Sequence, residues 1–385
     1  MSEWNSGKLK DIALIEMGQS PSGDTCNQDG IGIPLLNGPT EFGIKHPKAI
    51  QYTIDPKKKC QINDILFCVR GSTTGRMNWS DQPYAIGRGI ASLRHKKGDD
   101  YRFFLKALVD YNLNNMLLSA TGSTFPNISK AQLEDLEIIF PINLPEQKAI
   151  ASVLSSLDNK IDLLHRQNKT LEAMAETLFR QRFVEESSAG WEKDILKNRV
   201  FVIDNRGKTP PYLDQLTDYP IIEVNALTNE SRLVDYALIR KYVTQETYIN
   251  WFRGYLQKND VLVSTVGSIG EIAMVLLEKG NVAQNVVALR AINDLSPFYL
   301  YEFLKYKKDE IKELDIGSVQ PSIKVPHLLS MEILIPPRIL LNQFDSQISN
   351  LTDKMILNYS QTQTLEKLRN TLLPKLMSGE VRVTY

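Results

Sequence analysis

Two glycine-punctuated polar loops contain the residues best suited to recognise another molecule. The first runs Arg70-Gly71-Ser72-Thr73-Thr74-Gly75 and the second runs Thr265-Val266-Gly267-Ser268-Ile269-Gly270. Arginine can bond guanine through two hydrogen bonds, and glutamine or asparagine can bond adenine in the same bidentate way. Glycine lets the backbone approach a bound molecule closely. The loops and their neighbours therefore form a candidate nucleic-acid interface.

The candidate DNA-binding residues comprise loop residues, nearby arginines and amides, and a run of lysines suited to phosphate contacts. They are Lys57, Lys58, Lys59, Arg70, Ser72, Thr73, Thr74, Arg76 and Arg88 in the first half, and Ser264, Thr265, Ser268, Gln284 and Asn285 in the second. Glycine, serine and threonine also form ordinary turns, and a lysine run is often a solvated surface. The prediction consequently rests on the loops as groups more than on any single residue.

Three motifs resemble parts of catalytic sites, but each lacks what the chemistry requires. Gly207-Lys208-Thr209 resembles the end of a phosphate-binding P-loop, yet Val202 replaces the required upstream glycine and two prolines follow. Thr209-Pro210-Pro211-Tyr212 resembles the catalytic tetrapeptide of amino-methyltransferases, without its first residue or a glycine-rich cofactor loop. Glu310 and Lys312 have the spacing of half a nuclease metal site, but no Pro-Asp partner occurs. We therefore predict no catalytic residue in this chain.

The charge balance argues against a protein that grips DNA alone. The 385 residues include 45 basic and 45 acidic side chains, so the formal net charge is zero. A DNA-binding domain that acts by itself usually has a basic excess. We therefore expect partner chains to supply much of the phosphate contact.

Cysteine usage and hydropathy predict a soluble cytoplasmic protein. Cys26, Cys60 and Cys68 are odd in number and form no Cys-x-x-Cys pair, which favours reduced thiols over a disulfide or a zinc site. The four histidines are scattered, so we expect no bound metal. The first residues do not resemble a secretory signal, and no apolar run is long enough to span a bilayer.

The sequence is duplicated, and the matching segments keep their order with a nearly constant offset. Many ordered matches with so little drift indicate duplication with short loop insertions. The pairs are Gly18-Gln19-Ser20-Pro21 with Gly207-Lys208-Thr209-Pro210, Asp64-Ile65-Leu66 with Asp260-Val261-Leu262, Gly89–Arg94 with Asn285–Arg290, Thr121–Ile128 with Ile316–Ile323, Leu136–Pro141 with Met331–Pro336, and Thr170-Leu171-Glu172 with Thr364-Leu365-Glu366.

Each half has a mixed first part and a helical second part. Short β-rich runs bounded by Gly, Pro, Asn and Asp precede one helical pattern in each half, at 103–111 and 298–308. Each mixed part then ends in a strand closed by proline. The predicted divisions are 1–145 for the first mixed domain, 146–188 for a central helix, 189–338 for the second mixed domain and 339–385 for a distal helix.

The two helical segments show apolar residues at alternating steps of three and four, which is the seam of a coiled coil. Asn168, Asn358 and Thr362 are polar seam positions that we expect to fix register. Pro145 and Glu146 favour a helix start, and Pro374 predicts the end of the second helix. The predicted apolar seam is Leu154, Leu157, Ile161, Leu164, Leu171, Leu178, Ile348, Leu351, Met355, Leu365 and Leu372.

These patterns predict an α+β fold in which two duplicated mixed domains are separated by two long helices in an antiparallel coiled coil. Helices of this length would extend about 55 Å, which exceeds one DNA turn of about 34 Å. A stiff spacer suits a protein that reads two DNA patches a fixed distance apart. Because the two domains have diverged, we expect two unlike half-sites. The alternative is amphipathic helices that are simply buried on their own domains.

The chain resembles type I restriction–modification specificity subunits. The resemblance lies in the duplicated Gly-x-[Ser/Thr]-Pro opening, the Gly-Ser-x-x-Pro-[Asn/Ser]-Ile segment, the strand closing in proline and the helix that contains Thr-Leu-Glu. It covers essentially the whole chain, twice over. It implies that the mixed parts are target-recognition domains, each reading one half of a bipartite DNA target.

The resemblance also implies partners and cofactors. The helices would dock two adenine-N6 methyltransferase subunits that bind S-adenosylmethionine, and restriction–translocase subunits with ATP and Mg would complete the complex. The chain itself would be non-catalytic, would hold no cofactor and would bind double-stranded DNA away from any membrane. Two other hypotheses remain open: a coiled-coil scaffold that binds only proteins, and a catalytic DNA methyltransferase.

Overall fold

The computed structural model describes residues 3–43, 45–120, 126–187, 190–228, 230–317 and 319–383. The chain divides into two compact units. The first unit is Met1–Ile161 with Gln363–Tyr385, and the second unit is Asp162–Thr362. Each unit therefore contains one mixed domain together with stretches of both long helices, whereas the predicted division gave the helices segments of their own.

Within its described residues the first unit contains ten strands, three complete helices and stretches of the two long helices. The strands are β1 (Trp4–Lys8), β2 (Ala13–Met17), β3 (Cys26–Asn27), β4 (Ile33–Leu36), β5 (Gln51–Thr53), β6 (Ile65–Cys68), β7 (Met77–Trp79), β8 (Ala85–Ile86), β9 (Ile90–His95) and β10 (Glu137–Pro141). The helices that begin in it are α1 (Leu9–Ile12), α2 (Arg102–Ser119), α3 (Lys130–Glu134) and α4 (Leu144–Phe179).

The second unit has a parallel set of elements. Its strands are β11 (Glu192–Ile195), β12 (Val200–Ile203), β13 (Ile221–Ile222), β14 (Val261–Ser264), β15 (Ile272–Met274), β16 (Asn281–Val282), β17 (Val286–Ala291) and β18 (Glu332–Ile335). Its helices are α5 (Gln245–Trp251), α6 (Pro297–Tyr306), α7 (Lys308–Glu313), α8 (Val325–Leu329) and α9 (Arg338–Met377).

The duplication is visible in the sheets. The main sheet has the order β2-β9-β6-β7 in the first unit and β12-β17-β14-β15 in the second. The central strands β6 and β14 are buried at every position, as expected for short apolar runs covered on both faces. A parallel pair, β4 with β8 and β13 with β16, recurs beside each main sheet. The strand that ends each mixed part pairs antiparallel with the first strand of its unit.

The helix of the first mixed part is longer than the sequence pattern predicted, and the pattern of the second mixed part is divided between two helices. The pattern at 103–111 belongs to α2, which extends to Ser119, and the pattern at 298–308 covers α6 and the start of α7. Ser296 caps α6 by accepting a hydrogen bond from the backbone of Tyr299 at 3.0 Å, and Pro297 occupies the first turn.

The long helices α4 and α9 pack closely and antiparallel, as predicted. In the second unit the rings of Phe179 and Phe344 are 6.4 Å apart, and Asn358 Nδ2 donates to Asn168 Oδ1 at 2.8 Å. In the first unit Arg369 Nη1 donates to Asp158 Oδ1 at 3.1 Å. In the second unit the residue number on α9 falls from 358 to 344 as that on α4 rises from 168 to 179, so the two helix stretches run in opposite directions.

The predicted seam residues lie buried or half-buried along these helices. Leu154, Ile161, Leu164, Ile348 and Met355 are buried, and Leu157, Leu171, Leu178, Leu351, Leu365 and Leu372 are half-buried. The polar seam positions Asn358 and Thr362 are buried as well. Buried polar pairs of this kind fix register at a cost in stability.

Side chains of the two long helices also belong to the cores of the mixed domains. In the second unit Ala175, Phe179, Phe344 and Ile348 join the core that contains β14 and α6. In the first unit Ile150, Ala151, Leu154 and Leu376 join the core that contains β6 and α2. The two arrangements that the sequence allowed therefore occur together. Each helix stretch packs against the other long helix, and it is also buried on a mixed domain.

The prediction that Pro374 ends the second helix was wrong. Pro374 lies inside α9, which continues to Met377, and the carbonyl of Pro374 accepts a hydrogen bond from the backbone of Ser378 at 2.9 Å. Proline removes only its own N–H and clashes with the preceding turn. One more helical turn, supported by the buried side chains of Leu376 and Met377, was sufficient to continue the helix.

Candidate nucleic-acid interface

The first glycine loop joins β6 to β7, and its shape depends on two left-handed glycines. Gly71 has φ of 91° and Gly75 has φ of 92°, which is conformational space that favours glycine. The loop is tied to the segment before α3, because Gly71 N donates to the carbonyl of Pro126 at 3.2 Å and Ile128 N donates to that of Val69 at 2.9 Å. The hydroxyl of Thr74 also donates to the Pro126 carbonyl at 2.8 Å.

The second glycine loop repeats this geometry. Gly267 and Gly270 have φ of 83° and 75°. Gly267 N donates to the carbonyl of Pro321 at 2.9 Å, and Ile323 N donates to that of Thr265 at 2.8 Å. The glycine loop and the Pro-x-Ile segment, which the sequence showed as two separate repeats, thus meet at one edge in each unit. The motif residues 121–125 and 318 lie outside the described residues.

An ion pair with a buried carboxylate, at the end of β6 and of β14 away from the loop, explains two further repeats. Asp64 accepts from Arg94 Nε at 2.6 Å and from Nη2 at 2.8 Å. Asp260 accepts from Arg290 Nε and Nη2 at 2.8 Å each. Both carboxylates are buried, and each also caps a turn by accepting a backbone N–H from a glutamine three residues earlier. Such bidentate pairs hold the strands that support the loops in a defined orientation.

In the first unit the three candidate arginines are exposed, but they differ in whether the guanidinium is bonded to the protein. Arg70 and Arg88 are exposed, and neither guanidinium has a protein partner among the described residues. Arg76 is different, since its Nη2 donates to the Phe42 carbonyl at 3.0 Å and its Nη1 to the Pro39 carbonyl at 3.3 Å. Arg76 therefore holds the neighbouring loop in place.

The hydroxyl residues of this loop and the lysine run also differ in their environment. Ser72 and Thr73 are exposed, whereas Thr74 is half-buried and bonded within the loop. Lys57 pairs with Asp55 at 2.5 Å, and Lys58 pairs with Glu16. Lys59 is exposed, and no ion pair involves it among the described residues. A phosphate would have to compete with carboxylates for Lys57 and Lys58.

In the second unit, two candidates do not lie on the surface. Ser264 and Thr265 are 0% exposed. The Ser264 hydroxyl donates to the Ser268 carbonyl at 2.6 Å, and the Thr265 hydroxyl donates to the Asn285 carbonyl at 3.2 Å. Because a side chain without surface cannot reach a base edge, including these two residues in the interface was wrong. They shape the loop.

The remaining candidates of the second unit lie beside this loop. Ser268 is exposed, and Gln284 and Asn285 are half-buried. Gln284 has φ of 64° and donates through Nε2 to the Thr209 hydroxyl at 2.6 Å, so the duplicated opening motif lies next to it. Base contact by these residues stays a prediction, as it does for the exposed candidates of the first unit.

Sequence reasoning missed Arg206, which lies at the second loop. Its Nη1 donates to the Thr265 hydroxyl at 3.1 Å, and its Nε and Nη2 bond Asp204 at 2.9 and 2.7 Å. Hydrogen bonds from Arg206 lower the pKa of the Asp204 carboxyl, although partial burial opposes this. The guanidinium is thus largely neutralised by its own neighbour.

Sequence reasoning also missed an amide-lined cleft in the first unit. A cavity of about 470 Å³ opens beside the Gly18–Pro21 motif. The signal in the sequence was a concentration of amide side chains, since Gln19, Asn27, Gln28, Asn37 and Gln51 fall within one short stretch. The lining residues are Ser20, Pro21, Gly23, Cys26, Asn27, Gln28, Leu35, Asn37 and Gln51.

Neither a metal cluster nor a membrane span is found in the described part of the chain. In residues 3–43, 45–120, 126–187, 190–228, 230–317 and 319–383, no group of three His, Cys, Asp or Glu side chains is arranged to hold a metal ion. None of the helices in these ranges is long and apolar enough to cross a membrane.

Comparison with protein families identifies the family to which the chain belongs. The model of the type I restriction modification DNA specificity domain matches residues 1–173 and again residues 190–365. The chain belongs to this family. The two matches coincide with the two copies of the loop geometry described above. The family is the non-catalytic DNA-recognition component of type I restriction–modification systems.

Curated relatives extend over nearly the full length. The type I restriction enzyme MjaIX specificity subunit of Methanocaldococcus jannaschii is 26% identical, with 99% of this chain and 94% of the relative covered. The MjaVIII specificity subunit of the same organism is 23% identical over 83% of this chain and 80% of the relative.

A solved structure shares the fold. The crystal structure of a type I restriction–modification S subunit from M. genitalium superposes with a TM-score of 0.61 at 19% identity, covering 98% of this chain and 96% of that one. The resemblance inferred from the sequence motifs and the α+β fold class are therefore confirmed.

Proposed function

We propose that this chain reads a split, asymmetric target in double-stranded DNA, with each unit reading one half. The observation that supports this most directly is the duplicated site: the same backbone scaffold displays different side chains. The first unit presents free Arg70 and Arg88, whereas the second presents Ser268, Gln284 and a neutralised Arg206. Because side chains at base edges determine which bases are bound, unlike side chains on a common scaffold imply unlike half-sites.

The helices α4 and α9 would fix the spacing between the half-sites and dock the other subunits. Their close antiparallel packing and the buried Asn168–Asn358 pair give a stiff, registered element. We propose that two methyltransferase subunits bind here and that restriction–translocase subunits join them. The zero net charge fits an assembly in which partners share the phosphate contacts.

S-adenosylmethionine, ATP and Mg would then bind the partner subunits and not this chain. The described residues contain no glycine-rich strand-to-helix loop at the Gly207–Thr209 motif, where Pro210 and Pro211 follow directly. Calorimetric titration of S-adenosylmethionine into the isolated chain should therefore show no stoichiometric binding, and saturable binding would contradict the proposal.

A domain exchange tests whether each unit recognises one half of the target. Residues 1–145 are replaced by the matching domain of another family member, and the full complex with its methyltransferase subunits is recovered. Sequencing of methylated adenines in the host genome then gives the target of each complex. We expect one half of the target to change and the other to remain. A change in both halves, or in neither, would contradict the proposal.

A further inference from the structure

The amide-lined cleft of the first unit contains a pair of side chains held by one hydrogen bond. Asn37 follows β4, and Gln51 begins β5, which pairs with β4 antiparallel so that Gln51 lies opposite Leu35. Asn37 Nδ2 donates to Gln51 Oε1 at 2.9 Å. Both residues line the cavity of about 470 Å³, and Asn37 is exposed to solvent.

Two glycines keep this pair open. A methyl group added to Gly87 would lie 2.5 Å from Asn37 Oδ1, and one added to Gly89 would lie 2.4 Å from the Asn37 carbonyl oxygen. Neither glycine has a left-handed φ, so space and not backbone conformation requires glycine here. The backbone is fixed on the same side, because Gly87 N donates to the Leu36 carbonyl at 2.8 Å.

Between these glycines lies Arg88, which has the free guanidinium described above. Its backbone N–H donates to the Ser20 hydroxyl at 3.4 Å, and Ser20 also lines the cleft. The backbone of Arg88 therefore lies beside the cleft that contains the amide pair, and its long side chain has an exposed charge within this region. This arrangement fits a polar, anionic molecule such as the edge of a DNA groove beside its phosphates.

The hydrogen bond between two amides leaves a defined pattern for a third molecule. Whichever amide donates, one NH₂ group and one carbonyl oxygen remain unused by the pair. Adenine presents one acceptor, N7, and one donor, the N6 amino group, in the major groove. Guanine presents two acceptors there, so the free carbonyl would face another acceptor. Cytosine presents a donor, and thymine presents an acceptor and a methyl group.

We propose that Asn37 and Gln51 together recognise one adenine in the half-site read by the first unit, with Arg88 contacting an adjacent phosphate. This inference rests on the function proposed above. Asn27, a neighbouring amide of the cleft, does not offer the same pattern, because it is bonded at both ends to its own loop, donating to the Ile31 carbonyl and accepting from the backbone of Asp29 and Ile31.

The test uses the full chain in complex with its methyltransferase subunits and a library of random double-stranded DNA. Selection by the unchanged complex should return a two-part motif with an invariant adenine in one half. Asn37→Asp and Gln51→Glu each replace an NH₂ donor with an acceptor. Both should reduce preference for that adenine by about 5- to 150-fold, the range of one bidentate contact, and leave the other half of the motif unchanged.

Two comparisons separate recognition from general loss of binding. Arg88→Ala should weaken binding to all sequences alike and flatten its salt dependence, as loss of a phosphate contact does. Asn159→Asp is the matched control, because it makes the same charge change at an exposed asparagine of α4 in the same unit. It should leave the motif as it is.

A change on the DNA side checks the contact without depending on the variants. The adenine is replaced by 7-deaza-adenine, which lacks the N7 acceptor. This replacement should weaken DNA binding by the unchanged complex, but it should not further weaken DNA binding by the Asn37→Asp or Gln51→Glu complex. If both variants kept the original adenine preference, the inference would fail while the two-part motif upheld the proposed function. If the unchanged complex selected no motif, both would fail.

Discussion

The two units fasten their mixed domains to the long helices in different ways. In the second unit one guanidinium, that of Arg232, makes the connection and is 0% exposed. It donates to Glu172 of α4 at 2.9 Å, to Thr352 of α9 at 2.9 Å and to Glu302 of α6 at 2.8 Å. Tyr301 and Lys305 also donate to Glu172, at 2.7 and 3.1 Å.

In the first unit apolar packing is accompanied by exposed ion pairs, one between the two long helices and one between α4 and the mixed domain. Asp158 of α4 and Arg369 of α9 pair at 3.1 Å, and their side chains are 39% and 37% exposed. Lys148 of α4 pairs with Asp100 at 2.7 Å, again in solvent. Solvent screens such pairs, whereas a buried charge depends on its partners for all of its solvation.

The difference shows that a duplicated fold does not preserve the way its parts are joined. The glycine loops and the Asp–Arg pairs at the other end of the strands that lead into them are the same in both units, but the junction with the helices is not. A buried network with three helix partners defines one orientation, because any other arrangement would leave charges without partners. We therefore expect substitutions at the two junctions to differ strongly in effect.

The largest effect is expected at Arg232. Replacing it with methionine leaves Glu302 buried without its ion-pair partner and leaves Glu172 with Lys305 alone, which should lower the free energy of unfolding by about 3–5 kcal/mol. Urea unfolding of the full chain measures this. Arg240→Met, at an exposed arginine of the same unit, is the control and should change stability by less than about 0.5 kcal/mol. Equal effects of the two substitutions would show that the buried network is not a junction.

An intermediate effect is expected from the protonation of Glu302. Burial raises its pKa to about 7, although the Arg232 guanidinium acts in the opposite direction. The folded form therefore binds a proton more readily than the unfolded form, whose pKa is about 4.3. By linkage, this residue's contribution to stability is greatest below the unfolded pKa and decreases as the pH rises through about 7.

The size of that change should be on the order of 2–3 kcal/mol between pH 4.5 and 8. It is measured as the difference between the unchanged chain and Glu302→Gln, each unfolded in urea across this range. Glu313→Gln, at an exposed carboxylate at the end of α7, is the control and should show no comparable trend. A difference between the chain and Glu302→Gln that does not vary with pH would refute the prediction.

The smallest effect is expected for the exposed ion pair between α4 and α9 in the first unit. Arg369→Ala removes a pair of which both members are more than one third exposed, so the free energy of unfolding should fall by at most about 1 kcal/mol. The loss should shrink further in high salt. A loss as large as that of Arg232→Met would mean that the two junctions are equivalent after all, and the comparison would have to be abandoned.

Local and repeated patterns in the sequence predicted most of the framework. The step of three and four placed the seam along α4 and α9, and the polar seam positions Asn168 and Asn358 were found bonded to each other. The repeats at Asp64 and Asp260 marked strands with the same place in both sheets. These features depend on periodicity and order along the chain, which the sequence contains directly.

The predicted site was only partly defined by such patterns. The glycine loops were identified correctly as structured, duplicated elements, but the exposure of individual side chains depends on what packs against them. Ser264 and Thr265 look as polar as Ser72 and Thr73 in the sequence, yet the first two are buried and the last two are exposed. Arg76 was equally indistinguishable from Arg70 until the carbonyls of Pro39 and Phe42 were found beside it.

The sequence by itself determined the duplication, the α+β class, the paired helices and the family, because each is encoded in spacing or in the order of motifs. Only the tertiary structure decided that Arg232 joins three helices and that Asn37 meets Gln51. These partners are brought together by strand register and helix packing, and their separations of 60, 70, 120 and 14 residues follow no period. A contact between distant residues is a property of the folded chain, because its geometry is set by every element that lies between them.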